Sequence, residues 1–180
     1  GLIDDAVAQW NALAAQIPEG IEVVRLDASH GGLAQIATWA KRHADYDAIH
    51  LMAHGSAGRM SLGTDILSTT TLDDATTRDH LATLGNALKG DGDLLLYGCD
   101  VAAIPDGQGL LERLAQQTGA DVAASTDATG ATHRGGDWTL EAGNAEAADH
   151  ALEVGNWDGL LTDPATWQRL GNESFSDGAF

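Results

Sequence analysis

Apolar residues recur along the chain at two spacings, one typical of strands and one typical of helices. Short, nearly continuous apolar runs predict buried strands over residues 21–26, 47–53, 93–98 and 121–125. Apolar residues three or four positions apart predict helices over residues 4–16, 32–43, 76–88 and 108–117. Strands and helices therefore alternate, which is the order of elements expected for an α/β fold.

This alternation predicts a three-layer αβα sandwich with a mostly parallel central sheet. Two segments depart from the pattern. Residues 59–68 predict a small hairpin that turns at Gly63 and Thr64. The alternating residues 137–141 predict an edge strand or a hairpin arm.

Length and composition fit one domain. With 180 residues, of which 43% are hydrophobic, the chain can build one sizeable core but hardly two. After Leu161 the sequence becomes polar and loses its periodicity. We therefore assign the domain to residues 1–161 and expect residues 162–180 to be a linker or the start of a following module.

The formal net charge of −18 limits the partners of the chain. Phosphate backbones and anionic lipid surfaces repel such a protein, so we expect no nucleic acid partner. We also expect no membrane insertion, because no apolar segment approaches the length of a membrane span. The single cysteine, Cys99, excludes an internal disulfide and argues against a structural cysteine–zinc site.

Two residues that can carry chemistry stand directly after predicted strands. His54 follows the strand over residues 47–53, and Cys99 follows the strand over residues 93–98. The carboxyl ends of parallel strands meet at one edge of a sheet, where ligands and catalytic groups collect. We therefore expect His54 and Cys99 on neighbouring strands, which is where a cysteine–histidine dyad would be built.

Acyl transfer explains why such a dyad needs both residues. A thiol near its free pKa is only slightly ionised at neutral pH, so an adjacent imidazole must accept its proton and later donate one to the leaving amine. The backbone N–H groups of Gly55 and Cys99 are candidates for stabilising the oxyanion. The alternative is that Cys99 is an inert core residue, because free cysteine is among the most buried residue types.

Other histidines and acids suggest rival sites. His50 and His54 stand four positions apart, on one face of a strand, and could form a metal pair. The sequence places no third ligand, so we predict no metal ligands and a hydrogen-bonded core role for His50. The acidic clusters at residues 73–74 and 90–93 do not match an EF-hand loop, and calcium is expected only as an optional structural or activating ion. The chain carries no phosphate-binding, dinucleotide-binding or GxSxG motif.

Two blocks of the sequence resemble known cysteine peptidases. DAIHLMAHGSAG (residues 47–58) and DGDLLLYGCDVA (residues 91–102) are similar to the histidine–glycine and cysteine blocks of the caspase-like, or clan CD, peptidases. The whole run from about residue 3 to residue 161, including EVVRLD, GADVAASTDATG and GGDWTLE, looks more closely like domain of unknown function 4347. That family is found near the N-termini of very large bacterial surface proteins and adhesins.

The resemblance implies a caspase-like fold and assigns roles to individual residues. It makes His54 the general base, Cys99 the nucleophile, and the amides of Gly55 and Cys99 the oxyanion hole. It also implies a secreted or cell-surface location in a bacterium. In such chains an initial strand normally precedes the first helix, and only residues 1–3 remain of it here.

The resemblance further points to a substrate pocket. Residues beside the nucleophile and on the next strand commonly shape the pocket for the residue before the scissile bond. Here they are Asp100, Ser125 and Asp127, which suggests an acidic pocket that favours Arg or Lys. The alternative is that Asp100 only caps a helix or forms a turn.

Together these features predict a cysteine endopeptidase that needs no cofactor and acts on a polypeptide, which is either its own chain or a neighbouring surface protein. Residues 157–161, with the sequence WDGLL, are either the point where the domain releases the downstream part of the chain or a final packing segment. The alternative function is a catalytically inactive interaction or structural module of an adhesin. That alternative predicts a buried Cys99 with its sulfur far from His54.

Overall fold

A computed structural model of the chain describes residues 1–162. The predicted linker over residues 162–180 therefore lies, apart from Thr162, outside the described residues. The elements follow in chain order: β1 (Leu2–Asp4), α1 (Trp10–Ala14), β2 (Val24–Leu26), α2 (Gly32–Ala40), β3 (Tyr46–Met52), β4 (Gly55–Ser56), β5 (Arg59–Leu62), β6 (Asp65–Ser68), α3 (Ala75–Gly85), β7 (Leu88–Tyr97), α4 (Pro105–Thr118), β8 (Asp121–Ala124), β9 (Ala142–Gly143) and α5 (Ala145–Ala148).

The central sheet has six strands in the order β2-β1-β3-β7-β8-β9. All neighbouring strands are parallel except β9, which runs antiparallel to β8. Apolar side chains alternate between the two faces of this sheet, as the period of a strand requires. Leu94 and Leu96 of β7 pack in the cluster that contains α2, α3 and α4, whereas Leu95 and Tyr97 pack in the cluster that contains α1 and α5. The predicted three-layer α/β fold with a mostly parallel sheet is thus confirmed.

The N-terminal region differs from its predicted structure. The apolar spacing predicts a helix over residues 4–16, but residues 2–4 form β1 and only Trp10–Ala14 are helical. Ile3 and Val7 do become buried, through a strand and a following turn. Gln9 adopts a left-handed backbone with φ of 55°, so a helix cannot run continuously through this position. The few residues before the first helix therefore supply an interior strand, between β2 and β3.

Two other predictions concern edge segments. The hairpin over residues 59–68 is confirmed: β5 and β6 pair antiparallel around Gly63 and Thr64, and the short β4 adds a third strand. The edge strand predicted over residues 137–141 is wrong, because that segment makes only an isolated bridge from Asp137 to Thr129. The edge strand lies instead at β9, just after it in the chain.

Within residues 1–162, no helix is both long and apolar enough to cross a membrane.

Candidate active site

The ends of β3 and β7 bring the predicted dyad residues to one edge of the sheet. The two strands are parallel neighbours, and Met52 is in register with Tyr97. The ladder extends one step further, because the Ala53 N–H donates to the Tyr97 carbonyl at 3.1 Å. His54 and Cys99 follow at equivalent positions beyond the sheet, so their predicted placement on neighbouring strands is confirmed.

The two loops after these strands pack against each other without room for a side chain. A Cβ atom on Gly55 would lie 2.7 Å from the Cys99 carbonyl oxygen and 2.8 Å from a methyl group of Val101. Contacts this short do not occur at real Cβ atoms, so the position requires glycine for space rather than for backbone freedom. The Gly55 backbone is thereby held directly beside Cys99.

The N–H groups of Gly55 and Cys99 converge on one carbonyl oxygen. Both donate to the oxygen of Leu161, at 2.8 Å from Gly55 and 3.2 Å from Cys99. Two backbone donors aimed at a single carbonyl oxygen are the arrangement that stabilises the oxyanion of a tetrahedral intermediate. The two N–H groups singled out in the sequence thus share one acceptor, and their role toward an oxyanion stays a prediction.

His54 is oriented by the backbone of the first loop of the domain. Its Nε2 lies 3.2 Å from the Ala6 carbonyl oxygen. A carbonyl can only accept a hydrogen bond, so Nε2 carries the proton and the neutral ring keeps a lone pair on Nδ1. Nδ1 is buried and has no hydrogen-bond partner among residues 1–162. The imidazole is thus held in one tautomer with a free lone pair on Nδ1. No hydrogen bond joins this nitrogen to the Cys99 thiol, whose partners are both on Thr129, so the two side chains must approach each other before a proton can pass between them.

The Cys99 thiol is fully enclosed. Its residue is 0% exposed, Sγ accepts from the Thr129 N–H at 3.2 Å, and the thiol donates to the Thr129 carbonyl at 3.6 Å. Burial raises the pKa of Cys99 to about 11, because a thiolate is poorly solvated there. With the chain in this arrangement the thiol is therefore protonated at neutral pH.

The three residues predicted to form an acidic pocket lie together beside Cys99. The Asp100 N–H donates to the Asp127 carbonyl at 2.7 Å, and the Ser125 hydroxyl donates to the same carbonyl at 3.1 Å. Desolvation raises the carboxyl pKa of Asp100 and of the more exposed Asp127, and repulsion from the neighbouring acids Glu141 and Asp137 adds to the rise at Asp127. Their role in substrate selection stays a prediction. The carbonyl oxygen that binds the two converging N–H groups belongs to Leu161. The Leu161 side chain is fully buried in the apolar cluster that also contains Cys99 and Tyr97.

The rival residues take other positions. His50 is a core histidine, as predicted, and its Nδ1 lies 3.1 Å from the Tyr97 hydroxyl, which also accepts from the Leu152 N–H. Burial lowers the pKa of His50 to about 4. On the surface, one carboxylate oxygen from each of three exposed acids falls within 4.8 Å of the others: Asp127, Asp137 and Glu141. Exposed acids commonly cluster without an ion, so calcium stays a prediction.

Three participants in the site are missing from the sequence-based prediction. They are the Ala6 carbonyl, the Thr129 backbone and the Leu161 carbonyl. All act through main-chain atoms, which leave no residue-type signature. The one available signal is Gly130, whose backbone has φ of 137° and closely approaches Gly159.

Fold and site together define an α/β protein with a cysteine and an oriented histidine at neighbouring strand ends, beside a pair of converging backbone donors. The chain belongs to the DUF4347 family, described as a domain of unknown function, whose family model matches residues 2–161. No curated protein and no solved structure matches the chain.

Proposed function

We propose that this domain is a caspase-like cysteine endopeptidase with Cys99 as nucleophile and His54 as general base. The observation that carries the proposal is the convergence of the Gly55 and Cys99 N–H groups on one peptide carbonyl oxygen. Such donors stabilise charge that develops on an acyl oxygen, and removing one donor in other enzymes slows catalysis by about 10²-fold to 10³-fold. The oxygen they bind here belongs to a peptide bond, which is the substrate of an endopeptidase.

His54 supports the same proposal. Its Nε2 is fixed by the Ala6 carbonyl, and Nδ1 is unpartnered among the described residues, so the ring can accept the thiol proton without losing another hydrogen bond. The nucleophile, the base and the group that orients the base are the three parts of an activated nucleophile. The polypeptide substrate includes the domain's own chain, and the domain works in a secreted or surface-exposed bacterial protein. Its acidic charge suits that setting, where calcium can act as a structural or activating ion.

A second candidate is an inactive module of an adhesin that keeps the fold for packing or partner binding. The complete burial of Cys99 and its raised pKa favour it, because a nucleophile must be accessible and ionisable. The two candidates differ in what covers the thiol. An inactive module buries Cys99 in permanent core, whereas an endopeptidase covers it with a segment that behaves as a substrate.

Cleavage or labelling that depends on Cys99 distinguishes the peptidase from the inactive module. The purified chain and its Cys99→Ala, His54→Gln and His80→Gln variants are incubated with and without calcium, and the fragments are mapped by mass spectrometry. A peptidyl acyloxymethyl ketone probes the thiol in parallel. We expect fragments or a label on Cys99 in the wild type and in the remote control His80→Gln, and neither in His54→Gln. Identical fragments in wild type and Cys99→Ala, together with no label on Cys99, would contradict the peptidase.

A further inference from the structure

Residues 157–162, called here the 157–162 segment, lie across the candidate site and contact it through isolated β-bridges on two sides. On one side the Leu161 N–H donates to the Thr129 carbonyl at 2.9 Å, and the Gly159 carbonyl accepts from the Ala131 N–H at 2.8 Å. On the other side Thr162 forms a parallel bridge with Gly55. Extended peptides are recognised in this way, with main-chain hydrogen bonds for affinity and pockets for the side chains. The segment is bound as a peptide substrate would be.

The loop on the far side is shaped for this close approach. A Cβ atom on Gly130 would lie 2.2 Å from the Gly159 carbonyl oxygen, and the φ of 137° at Gly130 also favours glycine. The front of the segment is anchored by Trp157, which is buried against Trp138 and donates from Nε1 to the Ala8 carbonyl at 3.3 Å. These two contacts hold the segment at Gly159 and Trp157, which precede Leu161 in the chain. They therefore determine which carbonyl group of the segment meets the Gly55 and Cys99 N–H groups.

That carbonyl is the one of Leu161. The Leu161 side chain is fully buried, and the N–H of the same residue shares the Thr129 carbonyl oxygen with the Cys99 thiol. The thiol and the Leu161 N–H thus meet at one acceptor, and the N–H of Cys99 itself binds the Leu161 carbonyl oxygen. We propose that the peptide bond between Leu161 and Thr162 is the bond this domain cleaves, in its own chain. The proposal rests on the proposed peptidase function and adds the scissile bond and an apolar preference before it.

The reaction balances with water as the only co-reactant. The Cys99 thiol gives its proton to His54, and its sulfur bonds to the Leu161 carbonyl carbon. The Gly55 and Cys99 N–H groups hold the oxyanion until the C–N bond to Thr162 breaks, and the Thr162 amine leaves with the proton from His54. Water then attacks the thioester and gives one proton to restore the thiol by way of His54. The second proton passes to solvent, which leaves Leu161 with a carboxylate.

The test uses the chain of residues 1–180, followed by intact-mass measurement and terminal sequencing. We expect fragments 1–161 and 162–180 from the wild type and neither from Cys99→Ala or His54→Gln. Added hydroxylamine should convert the thioester into a Leu161 hydroxamate, which reports the acyl intermediate directly. Spontaneous hydrolysis of the labile Asp163–Pro164 bond is distinguishable, because it gives fragment 1–163 in every variant, including Cys99→Ala.

Matched variants test the seating of the segment. Gly130→Ala should slow cleavage at least tenfold because its methyl group would displace Gly159, whereas Gly90→Ala, which adds a methyl group in open space, should cleave like the wild type. If Gly130→Ala fails to fold, two substitutions of Leu161 test the position of the segment instead. Leu161→Met preserves volume and apolar character and should retain cleavage, and Leu161→Arg should lose it. Faster cleavage of folded Leu161→Arg would overturn the apolar preference in favour of an acidic pocket.

The possible failures are distinguishable. Cys99-dependent fragments that end elsewhere would overturn the Leu161–Thr162 assignment but leave the peptidase standing. An intact chain whose Cys99 still reacts with the peptidyl electrophile in a His54-dependent way would overturn self-cleavage and leave a peptidase that acts on other chains. An intact chain with an unlabelled Cys99 would overturn both proposals.

Discussion

The cover over the Cys99 thiol can be tested separately from any cleavage. If the 157–162 segment is a local cover, the thiol becomes accessible when that segment detaches, while the rest of the domain stays folded. Leu161→Ala removes a fully buried side chain from the segment. Leu67→Ala removes a side chain that is equally buried, at 1% exposure, but lies in β6 within the other core cluster. All chains carry His54→Gln, so that the bond at Leu161 stays intact.

The expected magnitude follows from the cost of a leucine truncation. Leu→Ala in a core costs about 2–5 kcal/mol. If that cost falls on local detachment of the segment, the detached population rises roughly 30-fold to 4,000-fold, since about 1.4 kcal/mol corresponds to a factor of ten. Leu67→Ala lowers the free energy of global unfolding by a similar amount but leaves the contacts of the segment unchanged. Thiol accessibility should therefore separate two variants that have similar thermal stability.

The assay is the rate of iodoacetamide alkylation, which reports a single site because Cys99 is the only cysteine of the chain. Rates are measured under conditions where all three chains are folded by circular dichroism. We expect Leu161→Ala to react far faster than both the His54→Gln parent and Leu67→Ala. While the 157–162 segment covers it, the thiol is protonated, because burial raises the pKa of Cys99 to about 11. Equal rates for Leu161→Ala and Leu67→Ala would mean that the thiol is reached only through global unfolding, and the 157–162 segment would then not be a local cover.

Three further predictions address the surroundings of the site. Gly55→Ala should slow cleavage about 10²-fold to 10³-fold, because its methyl group would push the Gly55 amide away from its oxyanion position beside Cys99; unchanged cleavage, equal to that of Gly90→Ala, would speak against this role. The pKa of His50 is about 4 in the folded chain and 6.5 ordinarily. Between pH 6.5 and pH 4, His50 therefore binds a proton in the unfolded chain but not in the folded one. The free energy of unfolding should fall by up to about 3 kcal/mol as pH drops from 6.5 to 4, and His50→Gln should remove that slope in denaturant titrations. Thr129→Val should leave the melting temperature unchanged or raise it, because the buried Thr129 hydroxyl has no partner among residues 1–162; a clear loss of stability would point to an unseen partner.

Hydrophobic periodicity was sufficient to predict the layers of the fold, because the parallel strands β3, β7 and β8 are buried on both faces and read as apolar runs. The same logic placed His54 and Cys99 correctly, since both follow strands of one parallel sheet. It failed at the N-terminus, where Ile3 and Val7 match a helical spacing although a strand and a turn bury them. Two residues at helical spacing cannot distinguish these structures, and pairing with distant strands decides between them.

The remaining parts of the candidate site could not be predicted for a different reason. The Ala6 carbonyl orients His54, and the Leu161 carbonyl meets the two converging donors. A backbone carbonyl is present at every residue, so only the folded path of the chain reveals which one is used. The sequence WDGLL predicts either a release point or a packing segment. In the structure these residues pack against the candidate site, so the proposed cleavage would make one segment serve both purposes.

The contributions to the site come from widely separated parts of the sequence. Ala6 lies in the first loop, His54 and Cys99 follow the third and seventh strands, and Leu161 follows all the described helices and strands. A ribosome delivers these parts in that order, so a nascent chain can form the sheet around β1, β3 and β7 before Leu161 has emerged. The peptide bond proposed for cleavage is the last component to arrive, which delays the reaction until translation of the whole domain is complete. The order of synthesis therefore sets the earliest moment at which the proposed cleavage can take place.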